Sequence, residues 1–294
     1  MSAKIDANAM YAVFEMPSSD GVYNEKFAAY FRALGRKRPL LFLTFAPKAA
    51  GTFFRQAAME ALGGGCLVRF THVQGGRDGT PYLPNFIGAY LDAERSPTVG
   101  HLHMQALPAN RNFLDMFGIK PVIMLRDIPD MLASYWDMLD TDPVARADGL
   151  NCLIPHDFLS LSREEKADFM IDIVAPWYVS YFATWKTYHD DAPQTVCVLR
   201  YDEFQNDTAG ALFRALRHAG FHTPRARCEA AITKVWGDRA KFRFNKGVGG
   251  RGREYFSPAH LERLARMLAL YKQLEPWTRE LIGGSSTPTI RLAS

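Results

Sequence analysis

The sequence predicts an α/β fold in one domain, a central parallel β-sheet flanked by helices, on three observations. Short apolar, β-leaning runs recur along the chain, stretches rich in helix formers alternate with them, and turns of small residues stand where strand gives way to helix. The first helix expected is Tyr23 to Leu34, after an irregular lead. Pro39-Leu40-Leu41-Phe42-Leu43-Thr44-Phe45-Ala46 is too short to cross a bilayer and has the length of a strand covered on both faces. Thr52 to Leu62 is rich in helix formers and is stopped by Gly63-Gly64-Gly65. Further strands are expected over 66–71, near 98–102, over 121–126 and over 195–200, and helices over 129–139, 163–188, 208–219, 226–238 and 258–272. A chain of 294 residues, 48% of them hydrophobic, can bury a large core as a single domain over 1–294, with 1–20 and 283–294 loosely held termini.

Composition narrows the partners. Formal charge is +4, with 35 basic against 31 acidic residues, a mixed solvated surface and not a nucleic-acid stripe, so no nucleic-acid partner is expected. The densest basic run lies between Arg239 and Arg253. Cys66, Cys152, Cys197 and Cys228 are far apart and lack metal spacing, which argues against a disulfide framework or a zinc site. The N-terminus carries Lys4, Asp6, Glu15 and Asp20 without a long apolar core, so neither signal peptide nor membrane span is expected.

Two strand-to-helix turns have the residue types of anion cradles. In the first, Pro47-Lys48-Ala49-Ala50-Gly51-Thr52-Phe53, small residues let backbone N–H groups converge at a helix N-terminus, and Lys48 adds a positive charge. An ordinary βα turn with a solvated lysine would look similar. An ATP or GTP loop would place its lysine after the last glycine, beside a hydroxyl for magnesium, whereas Lys48 precedes Gly51. The second turn, Arg126-Asp127-Ile128-Pro129-Asp130, puts a planar fork of donors at a strand end where an NTPase often has a metal-binding Asp. Ser134 lies two helical turns further on, and the alternative for Arg126 is a surface ion pair with Asp127 or Asp130.

Together the two segments resemble the sulfotransferases that use 3′-phosphoadenosine 5′-phosphosulfate (PAPS). Lys48-Ala49-Ala50-Gly51-Thr52-Phe53 is similar to their 5′-phosphosulfate loop, and Arg126 to Ser134 has the spacing of their 3′-phosphate motif, Arg-Asp-Pro-x-Asp-x-x-x-Ser. Val196 to Phe204 resembles the family's strand ending in Arg-Tyr-Glu-Asp-Leu, which implies that Tyr201 contacts the adenine. Phe244-Asn245-Lys246-Gly247-Val248-Gly249-Gly250-Arg251 resembles the Arg-Lys-Gly loop that closes over the 3′-phosphate and so implicates Lys246 and Gly247. Asn245 stands where relatives often have arginine, with Arg243 and Arg251 as candidates to compensate. Val99-Gly100-His101-Leu102 is similar to the segment reading Lys-Thr-His-Leu-Pro, which places His101 on the catalytic histidine and Val99 on the family's lysine; His103 and His72 are rivals. Phe53 and Trp236 are candidates to sandwich the adenine, against a plain core role.

The resemblance implies a P-loop-NTPase-like sulfotransferase fold and in-line displacement at sulfur. His101, a neutral imidazole with a reference pKa near ~6.5, accepts the acceptor's proton. Lys48 and the N–H groups from Ala49 to Phe53 stabilise the leaving 5′-phosphate, and Arg126, Ser134 and Lys246 select for the 3′-phosphate through bonds worth roughly 1.5–3 kcal/mol each. A sulfuryl group in transfer carries less charge than a phosphoryl group, so lysine and helix dipole can serve where a kinase uses magnesium, and no metal is expected. PAPS is the expected co-substrate, PAP (3′,5′-adenosine bisphosphate) the product and the cytoplasm the location. The stretches Tyr82 to Tyr90 and Trp136 to Leu161 are candidate pocket walls or lids, with loops packed on the core as the alternative; their aromatic content favours an apolar or aromatic acceptor over a long anionic polysaccharide, and the acceptor expected is small or lipid-like with a hydroxyl or amine. The family's dimerisation pattern, Lys-x-x-x-Thr-Val-x-x-x-Glu, is not found in the sequence, which leaves the oligomeric state open. Two other functions fit the cradles: a P-loop-type nucleotide kinase and a catalytically silent adenine-nucleotide-binding protein.

Overall fold

Leu40–Leu43 form strand β1 with all four side chains buried, as a run that is apolar on both faces requires. The structure is a computed structural model that describes residues 29, 32–33, 39–64, 66–68, 79, 81, 86, 98–149, 152–238 and 250–283. Around β1 the chain builds a five-stranded sheet from β2 (Cys66–Val68), β3 (Thr98–His101), β4 (Pro121–Leu125) and β5 (Cys197–Arg200). The order is β2-β3-β1-β4-β5 and every pairing is parallel. From β1 the chain turns to one side to lay down β2 and β3, then crosses to the other for β4 and β5. The crevice beyond the carboxyl ends of β1 and β4 is therefore a topological switch point, where open α/β sheets hold ligands. Register sets Leu43 level with His101, so β1 and β3 end together, and with Val122, so β4 runs three residues further before it ends at Leu125.

Helix α1 (Gly51–Ala61) follows β1 and is closed by Gly63 in the left-handed region. Helix α2 (Pro108–Phe117) precedes β4, and α3 (Ile128–Thr141) follows it. A short α4 (Pro143–Asp148) leads into α5 (Arg163–Phe169), a π turn at Met170–Val174 and α6 (Ala175–Asp191). The single helix expected over 163–188 is thus one helical run with a bulge. Pro176 lacks an N–H and its ring crowds the carbonyl of Asp172 four residues back, which accounts for the widened turn. Helix α6 buries Tyr178, Tyr181, Phe182, Trp185 and Tyr188, and an apolar helix buried on most sides belongs in a core. After β5 come α7 (Tyr201–Asn206), α8 (Thr208–His218), α9 (Arg225–Gly237), α10 (Gly252–Tyr255), α11 (Pro258–Ala269) and α12 (Glu275–Leu281).

Helices α2, α4, α7, α10 and α12 are additions to the sequence reading. The first strand ends at Leu43 and not at Ala46, because the Thr44 carbonyl is taken by the Tyr181 hydroxyl while Thr44 N–H still reaches Val122 O at 3.0 Å. Of the expected helix over 23–34, Ala29, Arg32 and Ala33 are described and helical. Residues 69–71 of the second strand and most of Tyr82 to Tyr90 lie outside the described residues. Burial pushes the Cys197 thiol up to about 11. No helix among the described residues is long and apolar enough to cross a membrane.

Candidate active site

The turn between β1 and α1 is strained in the manner of an anion cradle. Lys48 (φ 66°) and Ala50 (φ 64°) are the non-glycine residues with positive φ among the described residues, each costing roughly 1–2 kcal/mol. Left-handed residues flanking Ala49 curl the backbone into a concavity of N–H groups, a form that binds anions. Ala50 is the N-cap of α1, no side chain caps it, and the first turn carries no acidic residue, an end whose donors and dipole suit an anion. Ala49 departs from its expected part: its N–H bonds Ala46 O at 3.1 Å, closing the turn, and is directed away from a ligand. Thr52 and Phe53 lie in the first turn as expected. The Lys48 ammonium lies 3.7 Å from Met138 Sδ on α3.

His101 ends β3 with its ring against Gly51. A Cβ at position 51 would come within 2.6 Å of His101 Nε2, so only glycine allows this approach. His103 is held in another way: its Nδ1–H donates to Phe45 O at 2.6 Å, and its ring meets that of His101 edge to face at 5.0 Å. This makes His103 a buried structural hydrogen-bonder. His72 lies outside the described residues. Val99, on the position of the family's lysine, is fully buried in the sheet, where a lone ammonium would carry a large desolvation cost.

Arg126 lies at the end of β4, 9% exposed, and touches the first cradle directly: Nη1 donates to Lys48 O at 2.8 Å. Its guanidinium stacks 3.9 Å above the Tyr201 ring, Nη2 is 3.8 Å from Asp130 Oδ2, and buried Nε has no partner among the described residues. The ion pair with Asp130 is buried and not at the surface. Tyr201 opens α7 under Arg126, and burial raises its hydroxyl pKa. Asp130, Ser134 and Met138 continue down α3 at four-residue intervals from Arg126, one face that borders the cradle, with Ser134 buried.

Asp130 has a larger part than the sequence reading gave it. Its Oδ2 accepts Gly250 N–H and its Oδ1 accepts Gly252 N–H, each at 2.8 Å. Gly252 packs so closely on Pro129 that a Cβ there would fall 2.3 Å from the proline ring, hence the glycine. Helix α3 thereby holds the end of the C-terminal loop whose Arg243, Asn245, Lys246 and Gly247 lie outside the described residues. Arg251, a candidate substitute for the arginine missing at Asn245, is engaged with Asp137 at 2.7 Å and with Tyr255.

The aromatic pair differs from a sandwich. Phe53 is buried and meets Trp236 edge to face at 5.8 Å and Phe204 at 6.1 Å, which leaves no slot for a base between the first two rings. Trp236, 48% exposed, is the ring of the pair that a base can reach from solvent. Among the described residues Glu164, Asp168 and His260 bring three potential metal-ligand atoms together, but Arg263 is paired with Asp168, and Ser257 N–H donates to His260 Nδ1 at 3.2 Å in a helix cap. That group reads as an ion-pair staple of α11 on α5.

Asp127 N-caps α3 by accepting Asp130 N–H at 2.8 Å, yet burial, with the Asp130 charge beside it, pushes its carboxyl up to about 7. A raised carboxyl pKa works against the folded state once the unfolded chain ionises. Between about pH 4 and pH 7 the folded protein keeps a proton that the unfolded chain has lost, so this group lowers stability as pH rises and adds nothing further above pH 7. We predict that the stability of Asp127→Asn relative to wild type, read from thermal midpoints, rises across pH 4–7 and levels off above it. A constant difference would contradict the assignment.

Comparison with known proteins fits the fold. The crystal structure of mouse sulfotransferase SULT7A1 complexed with PAP matches 87% of this chain and 91% of its own, with a TM-score of 0.60 and 12% sequence identity. Retinol dehydratase in complex with androsterone and inactive cofactor PAP aligns over 64% of this chain and 57% of its own, with a TM-score of 0.37 and 16% identity. No protein-family model and no curated protein sequence matches the chain. On the architecture just described and the first of these alignments, the chain has the fold of a sulfotransferase.

Proposed function

We propose that the protein transfers the sulfuryl group of PAPS to a hydroxyl or amine of a small or lipid-like acceptor, in the cytoplasm, and releases PAP. One observation carries the reading: Arg126 Nη1 is bonded to Lys48 O, so the two cradles share one crevice that a doubly anionic nucleotide can span. The bound PAP in the mouse sulfotransferase of this fold supports it. In the proposed step the acceptor oxygen or nitrogen bonds to sulfur, the bond from sulfur to the 5′-phosphate oxygen breaks, and His101 takes the acceptor's proton. Lys48 and the N–H groups at the start of α1 stabilise the phosphate that leaves, an electrostatic role set before reaction begins. Arg126 and Ser134 face the 3′-phosphate, and Lys246 is assigned to the same group by the sequence resemblance.

Calorimetric titration with PAP and with ATP, with and without magnesium, tests the nucleotide, and labelled-sulfate transfer to an acceptor panel tests the reaction. Since hydrogen bonds to a charged group contribute roughly 1.5–3 kcal/mol each, PAP should bind at least ~10-fold more tightly than ATP. Magnesium-dependent ATP binding without preference for a 3′-phosphate would reject the proposal in favour of a kinase.

A further inference from the structure

We infer that Tyr178 of α6 is a positioning residue for the anion cradle, the group that turns the Lys48 N–H towards the ligand. The inference rests on the functional reading above. Each backbone carbonyl from Thr44 to Lys48 has a donor. Thr44 O accepts the Tyr181 hydroxyl, Phe45 O accepts His103 Nδ1–H at 2.6 Å, and Ala46 O accepts Ala49 N–H at 3.1 Å. Pro47 O accepts the Tyr178 hydroxyl at 3.2 Å, and Lys48 O accepts Arg126 Nη1 at 2.8 Å. A carbonyl lone pair presented to a phosphate would repel it, and here the five from Thr44 to Lys48 are engaged elsewhere.

The Pro47 carbonyl matters most, because it shares a peptide plane with the Lys48 N–H. In a planar trans peptide the C=O and the N–H point in opposite directions. With Pro47 O held by Tyr178 on α6, the Lys48 N–H points away from α6, out of the core. Lys48 itself has φ 66°, a conformation that persists only where its surroundings fix it. Tyr178 and Tyr181, both fully buried, hold the loop from below at two points on successive turns of one helix. Without the Tyr178 hydroxyl the 47–48 peptide can rotate, and a carbonyl would then face the position of the 5′-phosphate.

The test is Tyr178→Phe, which keeps the ring and removes the hydroxyl, with Tyr188→Phe as control. Tyr188 lies further along α6, where its hydroxyl donates to Asp115 at 2.7 Å and touches no part of the cradle. Affinities for PAP, adenosine 5′-phosphate and adenosine 3′-phosphate are measured by calorimetry on all three proteins. Loss of one properly aimed donor is expected to weaken PAP and adenosine 5′-phosphate about 5- to 10-fold in Tyr178→Phe, with adenosine 3′-phosphate unchanged and Tyr188→Phe like wild type. Equal losses for the 5′- and 3′-phosphates, or none, would overturn the inference, since a purely structural role does not distinguish the two ends of the nucleotide. A measurement on wild type makes the case independent of the variant's folding: the Lys48 amide proton should shift downfield on titration with adenosine 5′-phosphate, and an unmoved resonance in the bound protein overturns it too. Wild-type protein that binds no PAP overturns the functional reading and the inference with it; normal PAP binding by both wild type and Tyr178→Phe overturns the inference alone.

Discussion

Replacing His101 by alanine is expected to lower sulfuryl transfer ~10²–10⁴-fold, the usual contribution of a general base, while PAP affinity stays at the wild-type value. The split follows from position. His101 stands at the end of β3 beside Gly51, next to the turn that would hold the sulfuryl group, whereas Arg126 and Ser134, assigned to the 3′-phosphate, lie just after β4 and on α3. Single-turnover transfer rates and calorimetry with PAP separate the two effects, and an undiminished rate in His101→Ala would remove this residue from the mechanism. Gly51 supplies an independent check of the same geometry. Its φ lies outside the positive range and it opens a helix, so alanine there would gain up to about 1 kcal/mol of helix propensity. Yet the new methyl would lie 2.6 Å from His101 Nε2, an overlap of the kind that costs roughly 1–3 kcal/mol. Gly51→Ala alone should therefore destabilise the protein and displace the imidazole, and the same change made in His101→Ala should be neutral or stabilising. Additive effects in the two backgrounds would mean that the ring does not occupy the space assigned to it.

Lys48, Gly51 and Arg126 were legible because an anion cradle needs particular residue types at fixed offsets from a strand end, and the apolar runs of β1 and β4 mark those ends. The sequence resemblance places His101 on the catalytic histidine, with His103 and His72 as rivals. What occupies His103 is not local: the Phe45 carbonyl, 58 positions away in the chain, accepts its Nδ1–H. Tyr178 and Tyr181 were read only as helix residues, since nothing local distinguishes a core tyrosine from one whose hydroxyl holds a distant loop. The same holds for Asp130, whose partners lie 120 and 122 residues on. Helix α2 is a different case: Pro108 at its start, a glycine at 118 just past its end and Phe113, Leu114 and Phe117 at helical spacing are sequence signals, and the structure adds that Gly118 has φ 62° and that the three apolar side chains are buried. The aromatic pair was read by type alone, and type does not give ring orientation, which is why a sandwich was expected where Phe53 and Trp236 meet edge to face.

Asp130→Ala is expected to have the largest effect on stability, on the order of 3 kcal/mol, because two backbone N–H groups would lose a charged acceptor at once. The carboxylate is 2% exposed, and both of its oxygens are engaged at 2.8 Å with Gly250 and Gly252. Its attraction to Arg126, at 3.8 Å, is the weaker contact, so the loss is mainly one of hydrogen bonds. Asp130→Asn decides between the two sources. The amide keeps one acceptor oxygen but turns an NH₂ towards the second N–H, so roughly half of the cost should remain, together with faster hydrogen exchange at only one of the two glycine amides. If the charge on Arg126 dominated, asparagine would be as damaging as alanine and the glycine amides would exchange as in wild type. The consequence for function concerns Lys246, four residues before Gly250, which the sequence resemblance assigns to the 3′-phosphate. Release of that anchor frees the one end of the loop that α3 holds beside Arg126, so PAP should lose part of its advantage over adenosine 5′-phosphate in Asp130→Ala; an undiminished advantage, with both glycine amides exchanging faster, would show that the 3′-phosphate is bound without this loop.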